Sequence, residues 1–415
     1  MNAMEILALF AIGYPSLMAT VWICGGIYYY FHWERKQTTR PTSANDPNAP
    51  RVTVLVPCHN EGPNIDETIG HLFRQNYLNL EIIAINDGSR DDTGERLDAL
   101  ARENPTLKVL HQVNQGKASA MNNGLAHASG EIIVGIDGDA VLDYDAVGWM
   151  VEHFLRSSRV GSVTGNPRVR TRSTAIGKIQ TGEFSSIIGL IKRAQRIYGM
   201  VFTISGVICA FRRSALEQIN GWSTDMITED IDVSWKLQLS GWQVRYEPHA
   251  MCWVLMPETL RGLFRQRLRW AQGGAEAFLR HFSKAIHWRN RRFWPLLAEY
   301  IVSIVWCYSI ITLMLLGVID LILTVPSWEA AEDVLGWSGG LLIFLCLIQF
   351  SVSFYIDSRY DRTIVNCLFW SIWYPYFYWI LNMMTAVIAF PKAVVRRRGQ
   401  LAIWSSPDRG EAFRE

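Results

Sequence analysis

Long hydrophobic segments occupy both ends of the chain, whereas its middle alternates short apolar runs with amphipathic stretches. Residues 6–31, 301–319 and 338–356 contain no Asp, Glu, Lys or Arg. About 20 apolar residues suffice for a helix to cross a bilayer, so each run predicts a membrane-spanning helix. The first run lacks a preceding Lys or Arg and a small-x-small cleavage site, which favours an uncleaved anchor over a signal peptide.

Basic residues that flank the apolar runs predict which side of the membrane each flank occupies. The segment 32–36 follows the first run and predicts a cytoplasmic location for the chain after it. A fourth apolar stretch, residues 363–390, has arginines on both flanks, at 359–362 and at 396–398. This stretch is therefore predicted to be re-entrant or interfacial, with a break at Pro375, or else to span against the charge rule.

Between residues 51 and 256 the pattern predicts alternating strands and helices. The predicted strands are Val52–Val56, Glu81–Ile85, Leu107–Leu110 and Glu131–Ile136, and the predicted helices are Ile65–Arg74, Thr93–Arg102 and Ala118–His127. This alternation is typical of right-handed βαβ units around a mainly parallel sheet. Ligands of such sheets bind beyond the carboxyl ends of the strands. The residues that follow each strand are therefore the first candidates for chemistry.

Three aspartates lie just beyond two of the predicted strands. Asp87 stands in the turn after one strand, and Asp137 and Asp139 flank a glycine after another. Each turn taken alone is the common Asp-Gly turn at a strand end. Two such turns at one edge of a sheet favour a site instead, because carboxylate oxygens hold Mg²⁺ or Mn²⁺ and the metal neutralises a diphosphate leaving group.

Two further polar segments precede predicted helices. Lys117 follows Gly116 at a helix start and is either a phosphate contact, where backbone N–H groups also favour anions, or a solvated lysine. The segment Thr228–Asp230 precedes the helix-like run 231–235. Its residues suit a helix cap, and its carboxylates also suit a general base that deprotonates a sugar hydroxyl. Both roles are compatible if the cap holds the base in place.

A basic amphipathic stretch at 258–290 suits a membrane surface. Within it, Gln266, Arg269 and Trp270 share one helical side by their i, i+3, i+4 spacing. An arginine fork fits a diphosphate, and a tryptophan offers an apolar face to a sugar ring. The alternative interpretation is an ordinary interfacial helix.

An alternating run of arginines, Arg168, Arg170 and Arg172, would share one face of a strand. A solvated face is the ordinary interpretation of this run. The more specific alternative is a binding site for an anionic ligand, a lipid or a regulatory nucleotide.

Composition excludes some function classes. A net charge of +2 is too small to argue for nucleic acid as a partner. The seven cysteines have neither CxxC nor Cys/His ligand spacing, so neither a disulfide framework nor a zinc site is expected.

These motifs, in this order, resemble those of the processive family 2 glycosyltransferases, which include the cellulose, chitin, hyaluronan and poly-N-acetylglucosamine synthases. The segment Val56–Glu61 also fits that family. Longer strings resemble the bacterial poly-β-1,6-N-acetyl-D-glucosamine synthases in particular: Gly165–Arg168, Gly182–Arg193, Ser205–Val207, Met226–Asp232, Trp270–Glu276 and Ser406–Gly410. The resemblance covers nearly the whole chain from about residue 15.

The resemblance implies a fold, a reaction and a location. The fold is a Rossmann-like, mainly parallel GT-A α/β domain, cytoplasmic and inserted between transmembrane helices of a bacterial inner membrane. The reaction is inverting, processive transfer of N-acetylglucosamine from UDP-N-acetylglucosamine to poly-β-1,6-N-acetylglucosamine, coupled to passage of this biofilm polysaccharide across the membrane. The implied partners are the donor, the growing polysaccharide, membrane lipid, a small membrane subunit and cyclic di-GMP at their interface.

The resemblance also implies a role for each motif residue. Asp230 is the catalytic base, and Glu229 and Trp270 contact the acceptor sugar. Asp137 and Asp139 bind Mg²⁺ or Mn²⁺, Asp139 being the more direct ligand. The residues implied to bind the donor are Glu61, Asp87, Asp137, Asp139, Gln266 and Arg269, and Lys117 joins them through its place at a helix start.

The predicted organisation follows from these patterns together. Its parts are an anchor (1–36), a proline-rich linker (37–50), the α/β domain (51–256), interfacial helices (257–297), transmembrane or re-entrant helices (298–393) and a basic tail (394–415). Three alternatives stay open: another polymer synthase of the family, a non-processive transferase to a lipid carrier, and a transporter or scaffold with a degenerate transferase domain. The last predicts missing acidic residues, yet Asp87, Asp139 and Asp230 are all present.

Overall fold

A computed structural model describes residues 3–37, 40–43, 46–323, 329–397 and 399–403. The string Ser406–Gly410, Arg398 and most of the predicted basic tail lie outside these residues. Within them the strands are β1 (Val52–Cys58), β2 (Leu80–Asp87), β3 (Leu107–Gln112), β4 (Ile132–Ile136), β5 (Val141–Leu142), β6 (Val160–Val169), β7 (Ile208–Arg212) and β8 (Gln243–Val254).

The strands form one eight-stranded sheet in the order β3-β2-β1-β4-β7-β6-β8-β5. Strands β3, β2, β1 and β4 pair in parallel, as do β6 and β8. Strand β7 runs antiparallel to both β4 and β6, and β5 runs antiparallel to β8. The predicted, mainly parallel α/β fold is confirmed, and the antiparallel β7 at its centre is an addition that the pattern does not predict.

The helices of the described residues complete the architecture. They are α1 (Ala3–Tyr29), α2 (Gly62–Phe73), α3 (Thr93–Glu103), α4 (Lys117–His127), α5 (Ala146–Arg156), α6 (Ala175–Glu183), α7 (Ile191–Ile197), α8 (Arg213–Gln218), α9 (Glu229–Leu239), α10 (Leu260–Ala285), α11 (Trp294–Leu323), α12 (Glu329–Asp357), α13 (Leu368–Ser371) and α14 (Tyr374–Val395). Phe184–Leu190 is a π-helical link between α6 and α7, and Trp288–Phe293 is a 3-10 turn before α11.

The sheet is covered by helices on both faces. Strand β1 is buried along its whole length, which explains its continuous apolar sequence. Residues of α2, α3 and α5 pack on one face, and residues of α4, α8 and α9 pack on the other. Burial of each Val or Ile side chain contributes about 1.5–3 kcal/mol to the free energy of folding. The packed helices therefore hold the strands, and the polar motifs at their ends, in fixed positions.

The long apolar helices agree with the predicted membrane segments. Among the described residues, four helices are long and apolar enough to cross a membrane: Ile6–Glu34, Trp288–Ile319, Gly339–Asp357 and Phe377–Val395. The predicted break at Pro375 is confirmed, because α13 ends at Ser371 and α14 begins at Tyr374 with this proline in its first turn. A proline is tolerated there since its missing N–H would have no helical partner. By length and composition, the part of α14 from Phe377 to Val395 is sufficient to cross a membrane.

A buried ionic network joins the membrane helices to the α/β domain. The Arg193 guanidinium donates to Glu34 at 2.7 Å and to Asp357 at 2.9 Å, and Arg168 donates to Asp357 at 2.8 Å. The side chains of Arg193, Glu34 and Asp357 have 0% exposure, and that of Arg168 has 2%. The predicted solvated arginine face is therefore wrong for Arg168, whose anionic partner is a carboxylate of the protein itself.

We expect Asp357→Ala to lower the free energy of unfolding by about 3–5 kcal/mol, because two buried guanidinium groups lose a shared carboxylate. Glu67→Ala is the matched control, since Glu67 pairs with Arg170 and its side chain is 45% exposed. Exposed ion pairs contribute only about 0–1 kcal/mol. Unfolding of both purified variants in one detergent compares them, and equal stabilities would contradict a structural role for the network.

Candidate active site

One cavity of about 840 Å³ gathers most of the predicted site residues. Those that line it are Lys117, Asp137, Asp139, Glu229, Asp230, Gln266, Arg269 and Trp270. They come from the turn after β4, the starts of α4 and α9, and the middle of α10, which are far apart in sequence. Glu61 and Asp87 do not line the cavity.

Asp87 and Glu61 lie behind the cavity wall, where both are fully buried. The Asp87 carboxylate accepts hydrogen bonds from the backbone N–H groups of Gln115 and Gly116, each at 2.9 Å. Asp87 therefore shapes the turn that begins α4. Glu61 packs against the turn of the aspartate pair, because a Cβ added to Gly138 would lie 2.9 Å from Glu61 Cγ.

Lys117 is held within an acidic cluster. Its Nζ lies 2.5 Å from Asp137 and 3.1 Å from Glu229, and it donates to the carbonyl oxygen of Gly206 at 3.3 Å. Burial disfavours the ammonium, but attraction from Asp137 and Glu229 outweighs it and raises the Lys117 pKa. The solvated-lysine interpretation is therefore wrong, and the cavity contains a fixed positive charge beside its carboxylates.

Asp230 lies in the first turn of α9 and faces the same cavity. Its carboxylate accepts hydrogen bonds from the N–H groups of Ile231 at 2.9 Å and Gly206 at 3.3 Å. Burial, and next the charge of Glu229, raise the pKa of Asp230 to about 6, against the opposing effect of Lys117. The group is thus basic enough to accept a proton and still mostly ionised at neutral pH.

Thr228 precedes α9 but does not cap it through its side chain. It occupies the N-cap position without a side-chain cap hydrogen bond, and its Oγ1 is buried with no partner. The predicted capping role is therefore wrong for this hydroxyl. Helix α10 approaches this hydroxyl closely instead, since a Cβ added to Gly273 would overlap sterically with Thr228 Oγ1. The glycine allows α10 to pack directly against the acidic segment.

Helix α10 presents Gln266, Arg269 and Trp270 to the cavity, as their spacing predicts. Arg267 points elsewhere: its Nη2 lies 2.6 Å from Glu183 in a buried ion pair. Its guanidinium also lies 4.3 Å from the centre of the Trp270 ring. A cation over the ring face restricts the tryptophan, so Arg267 positions Trp270. The helical spacing of the motif identifies only residues that face the cavity, so it does not predict that Arg267 positions Trp270.

The aspartate pair has the chemistry of an open metal site. The described residues contain no group of three or more His, Cys, Asp or Glu side chains placed to hold a metal by themselves. Mg²⁺ is commonly held by one or two carboxylates together with substrate phosphates and waters. Asp137 and Asp139, both lining the cavity, fit a divalent cation that shares its ligands with a diphosphate.

Lys192 is a cavity residue that the sequence motifs do not identify. Its Nζ donates to Ser205 Oγ at 2.6 Å and to Thr164 Oγ1 at 3.3 Å. Burial lowers the pKa of Lys192 to about 7. The lysine ties β6 to the loop whose Gly206 contacts both Lys117 and Asp230. Its position within the string Gly182–Arg193 is the one sequence signal that points to it.

The cavity also reaches two regions outside the α/β domain. Tyr14 and Trp22 of α1 and Glu299 of α11 line its far end, which connects the acidic cluster with two candidate membrane helices. The segment 401–403 lines it as well, and the N–H of Ala402 donates to the carbonyl oxygen of Thr224 at 3.0 Å. Only the tertiary structure brings these parts to the site.

Comparisons with known proteins agree with this architecture. The family model "Glycosyltransferase like family 2" matches residues 50–273. The chain is 42% identical over 407 residues to the poly-beta-1,6-N-acetyl-D-glucosamine synthase of Staphylococcus epidermidis, covering 98% of this chain and 99% of that protein. It is also 42% identical over 409 residues to the synthase of the same name from Staphylococcus aureus strain COL, covering 98% and 99%.

A solved structure shares the fold. It is a mannosyltransferase from Pyrobaculum calidifontis in complex with GDP-Man and Mn²⁺, with a TM-score of 0.60 and 22% identity. The match covers 86% of this chain and 99% of that one, and it supports the GT-A fold alone. With a family match over more than half of its residues and near-full-length relatives, this chain belongs to the family 2 glycosyltransferases.

Proposed function

We propose that this protein is an inverting, processive N-acetylglucosaminyltransferase that lengthens poly-β-1,6-N-acetyl-D-glucosamine from UDP-N-acetylglucosamine for a biofilm polysaccharide. The main support for this proposal is that Asp230, Asp137, Asp139 and Trp270 line the same cavity. The identity of the sugar rests on the two staphylococcal synthases, since the metal and base motifs are common to the family.

Donor binding is assigned to the basic and acidic walls of the cavity. Asp137 and Asp139 would hold Mg²⁺ or Mn²⁺ with the diphosphate, and the ion would stabilise the charge of the leaving group. The Mn²⁺ of the mannosyltransferase structure supports a divalent ion here. Lys117 and Arg269 supply further positive charge toward the diphosphate. Glu61, Asp87 and Gln266 complete the proposed donor site, the first two by shaping its floor.

Acceptor activation is assigned to Asp230. A sugar hydroxyl is too weak an acid to attack efficiently at neutral pH, so a base must take its proton as the new bond forms. The Asp230 carboxylate receives that proton, the hydroxyl oxygen attacks the anomeric carbon, and UDP leaves from the opposite face with inversion. Trp270 holds the terminal sugar by its ring face, and Glu229, which is paired to Lys117, lies beside the same acceptor.

Membrane passage and location complete the proposal. The far end of the cavity, with Tyr14, Trp22 and Glu299, offers aromatic and polar groups for a sugar chain that enters between α1 and α11. The basic flank after the first span supports the proposed location of the α/β domain on the cytoplasmic side of an inner membrane. The domain boundaries stated above are proposed on the sequence patterns, and a small membrane subunit and cyclic di-GMP control on the family resemblance alone.

The product formed by purified protein tests the proposal. With labelled UDP-N-acetylglucosamine and Mg²⁺ or Mn²⁺, we expect a long polymer that a β-1,6-N-acetylglucosaminidase degrades. A single added sugar would favour the lipid-carrier transferase, and no transfer by folded protein would favour the scaffold. Another labelled UDP-sugar used in preference would move the assignment to a different polymer synthase of the family.

We expect Trp270→Ala to shorten the polymer while UDP affinity is retained. Loss of an aromatic contact weakens acceptor holding by about tenfold, so chains dissociate earlier. Polymer length and UDP affinity are measured on the same purified variant. Trp373→Ala is the control, because this tryptophan is exposed just before α14 and does not line the cavity. If both variants only lowered the protein level, with chain length unchanged, Trp270 would be an interface anchor.

A further inference from the structure

A second cavity, of about 1260 Å³, shares no lining residue with the candidate active site. Its lining contains a concentration of cations: Arg159, Arg196, Lys284, Arg289, Arg291 and Arg292, with His287 beside them. None of its lining residues, all of which belong to the described parts of the chain, is Asp or Glu. Like charges that converge without a carboxylate repel one another, and a bound anion removes that repulsion.

Arg196 shows a specific need for an acceptor. Its Nη1 donates to the carbonyl oxygen of Val244 at 3.1 Å, but its Nε is buried without a hydrogen-bond partner. A buried guanidinium donor left without an acceptor is costly, more so than a neutral one. The Arg196 guanidinium is thus held in one place at the cavity wall, unlike a solvated surface arginine.

The rim of this cavity is suited to a membrane surface. Trp288, which is 69% exposed, and the exposed Ile197 line it, and the exposed Ile286 and Trp294 are close to lining residues in sequence. Trp288 begins the candidate span Trp288–Ile319, so the cavity opens at the level where that helix would enter the bilayer. Tryptophans interleaved with arginines are typical of the headgroup region, where the rings face lipid and the cations face phosphate.

We propose that this cavity binds the phosphate of an anionic phospholipid headgroup. The planar arginine fork matches phosphate oxygens, and the exposed apolar rim provides a place for the acyl chains. The ligand would connect Arg196 at the end of α7 with Arg291 and Arg292 just before α11. It thereby fixes the α/β domain against the membrane surface. This inference does not depend on the sugar or on the reaction proposed above.

Lipid titration of the full-length protein in a neutral detergent tests the proposal. Phosphatidylglycerol is the probe, and its Kd is obtained from the shift in thermal unfolding midpoint with concentration. Arg291→Gln/Arg292→Gln is expected to weaken binding by about 30-fold, from the usual contribution of each basic residue near an anionic surface. The control, Arg74→Gln/Arg102→Gln, removes the same charge from exposed positions of the α/β domain and should leave the Kd unchanged.

Three results would overturn the proposal. The double variant binds phosphatidylglycerol as tightly as the parent protein, the zwitterionic phosphatidylcholine binds equally well, or soluble glycerol phosphate matches the lipid. The last result would identify a free phosphate ester as the source of the ligand. Should the double variant not fold, Arg289→Gln alone is expected to weaken binding by about fivefold. Transferase activity is not the readout, so failure here is distinguishable from failure of the proposed reaction.

Discussion

Asp230→Asn is expected to lower turnover by about 10²–10⁴-fold, because the amide keeps the shape of the side chain but cannot accept the hydroxyl proton. UDP affinity should change little, since the carboxylate acts on the acceptor. Single-turnover rates and UDP binding on one preparation separate the two effects. Asp98→Asn makes the same chemical change on the exposed face of α3 and serves as the control.

The pH profile gives an independent check on Asp230. With a pKa raised to about 6, the carboxylate loses its basic form as pH falls through that value. Turnover is therefore expected to decline below pH 6 and to level off above it, while donor binding persists. A rate that stays level down to pH 5 would contradict the base assignment, as would a variant whose turnover per bound donor is unchanged.

Asp139→Asn is expected to nearly abolish polymer synthesis while the protein stays folded. Loss of one carboxylate of the pair Asp137 and Asp139 weakens the hold on a divalent ion and on the diphosphate together. UDP affinity measured with and without Mg²⁺ or Mn²⁺ is the sharper readout, because the difference between the two should disappear in the variant. Asp98→Asn again controls for the chemical change alone.

A turn role for Asp139 makes a different prediction. Loss of a local turn or cap contact costs about 1 kcal/mol of stability and leaves turnover of the folded protein normal. Asp137→Asn provides a comparison, because it also breaks the contact with Lys117. Normal metal-dependent turnover by folded Asp139→Asn protein would remove this residue from the site.

Local periodicity determined much of the fold. The apolar runs from Val52 to Ile136 predict four strands and three helices that the structure contains. The hydrophobic periodicity of a strand or a helix is visible within a few residues. The spacing of Gln266, Arg269 and Trp270 likewise predicts one shared helical side, since that geometry belongs to a single helix. The membrane segments follow from length and charge alone.

The candidate site is only partly predictable from the sequence, because its residues meet through tertiary packing. Asp137, Asp139 and Asp230 are recognisable as motif residues, yet their meeting with Lys117 depends on how β4, α4 and α9 pack. Lys192 has no motif of its own, because its importance comes from Ser205 and Thr164 beside it. The role of Arg267 is similarly hidden, since its partner Glu183 lies on another helix.

The sequence by itself therefore determined an α/β transferase domain between membrane segments, with its acidic motifs at strand ends, because hydrophobic period and turn chemistry are local properties. The tertiary structure alone decided the antiparallel place of β7 and the burial of Arg168. It also decided the pairing of Arg193 with Glu34, 159 residues away. Such buried ion pairs form only where elements distant in sequence pack together and remove water from both charges. A short sequence pattern does not contain this information.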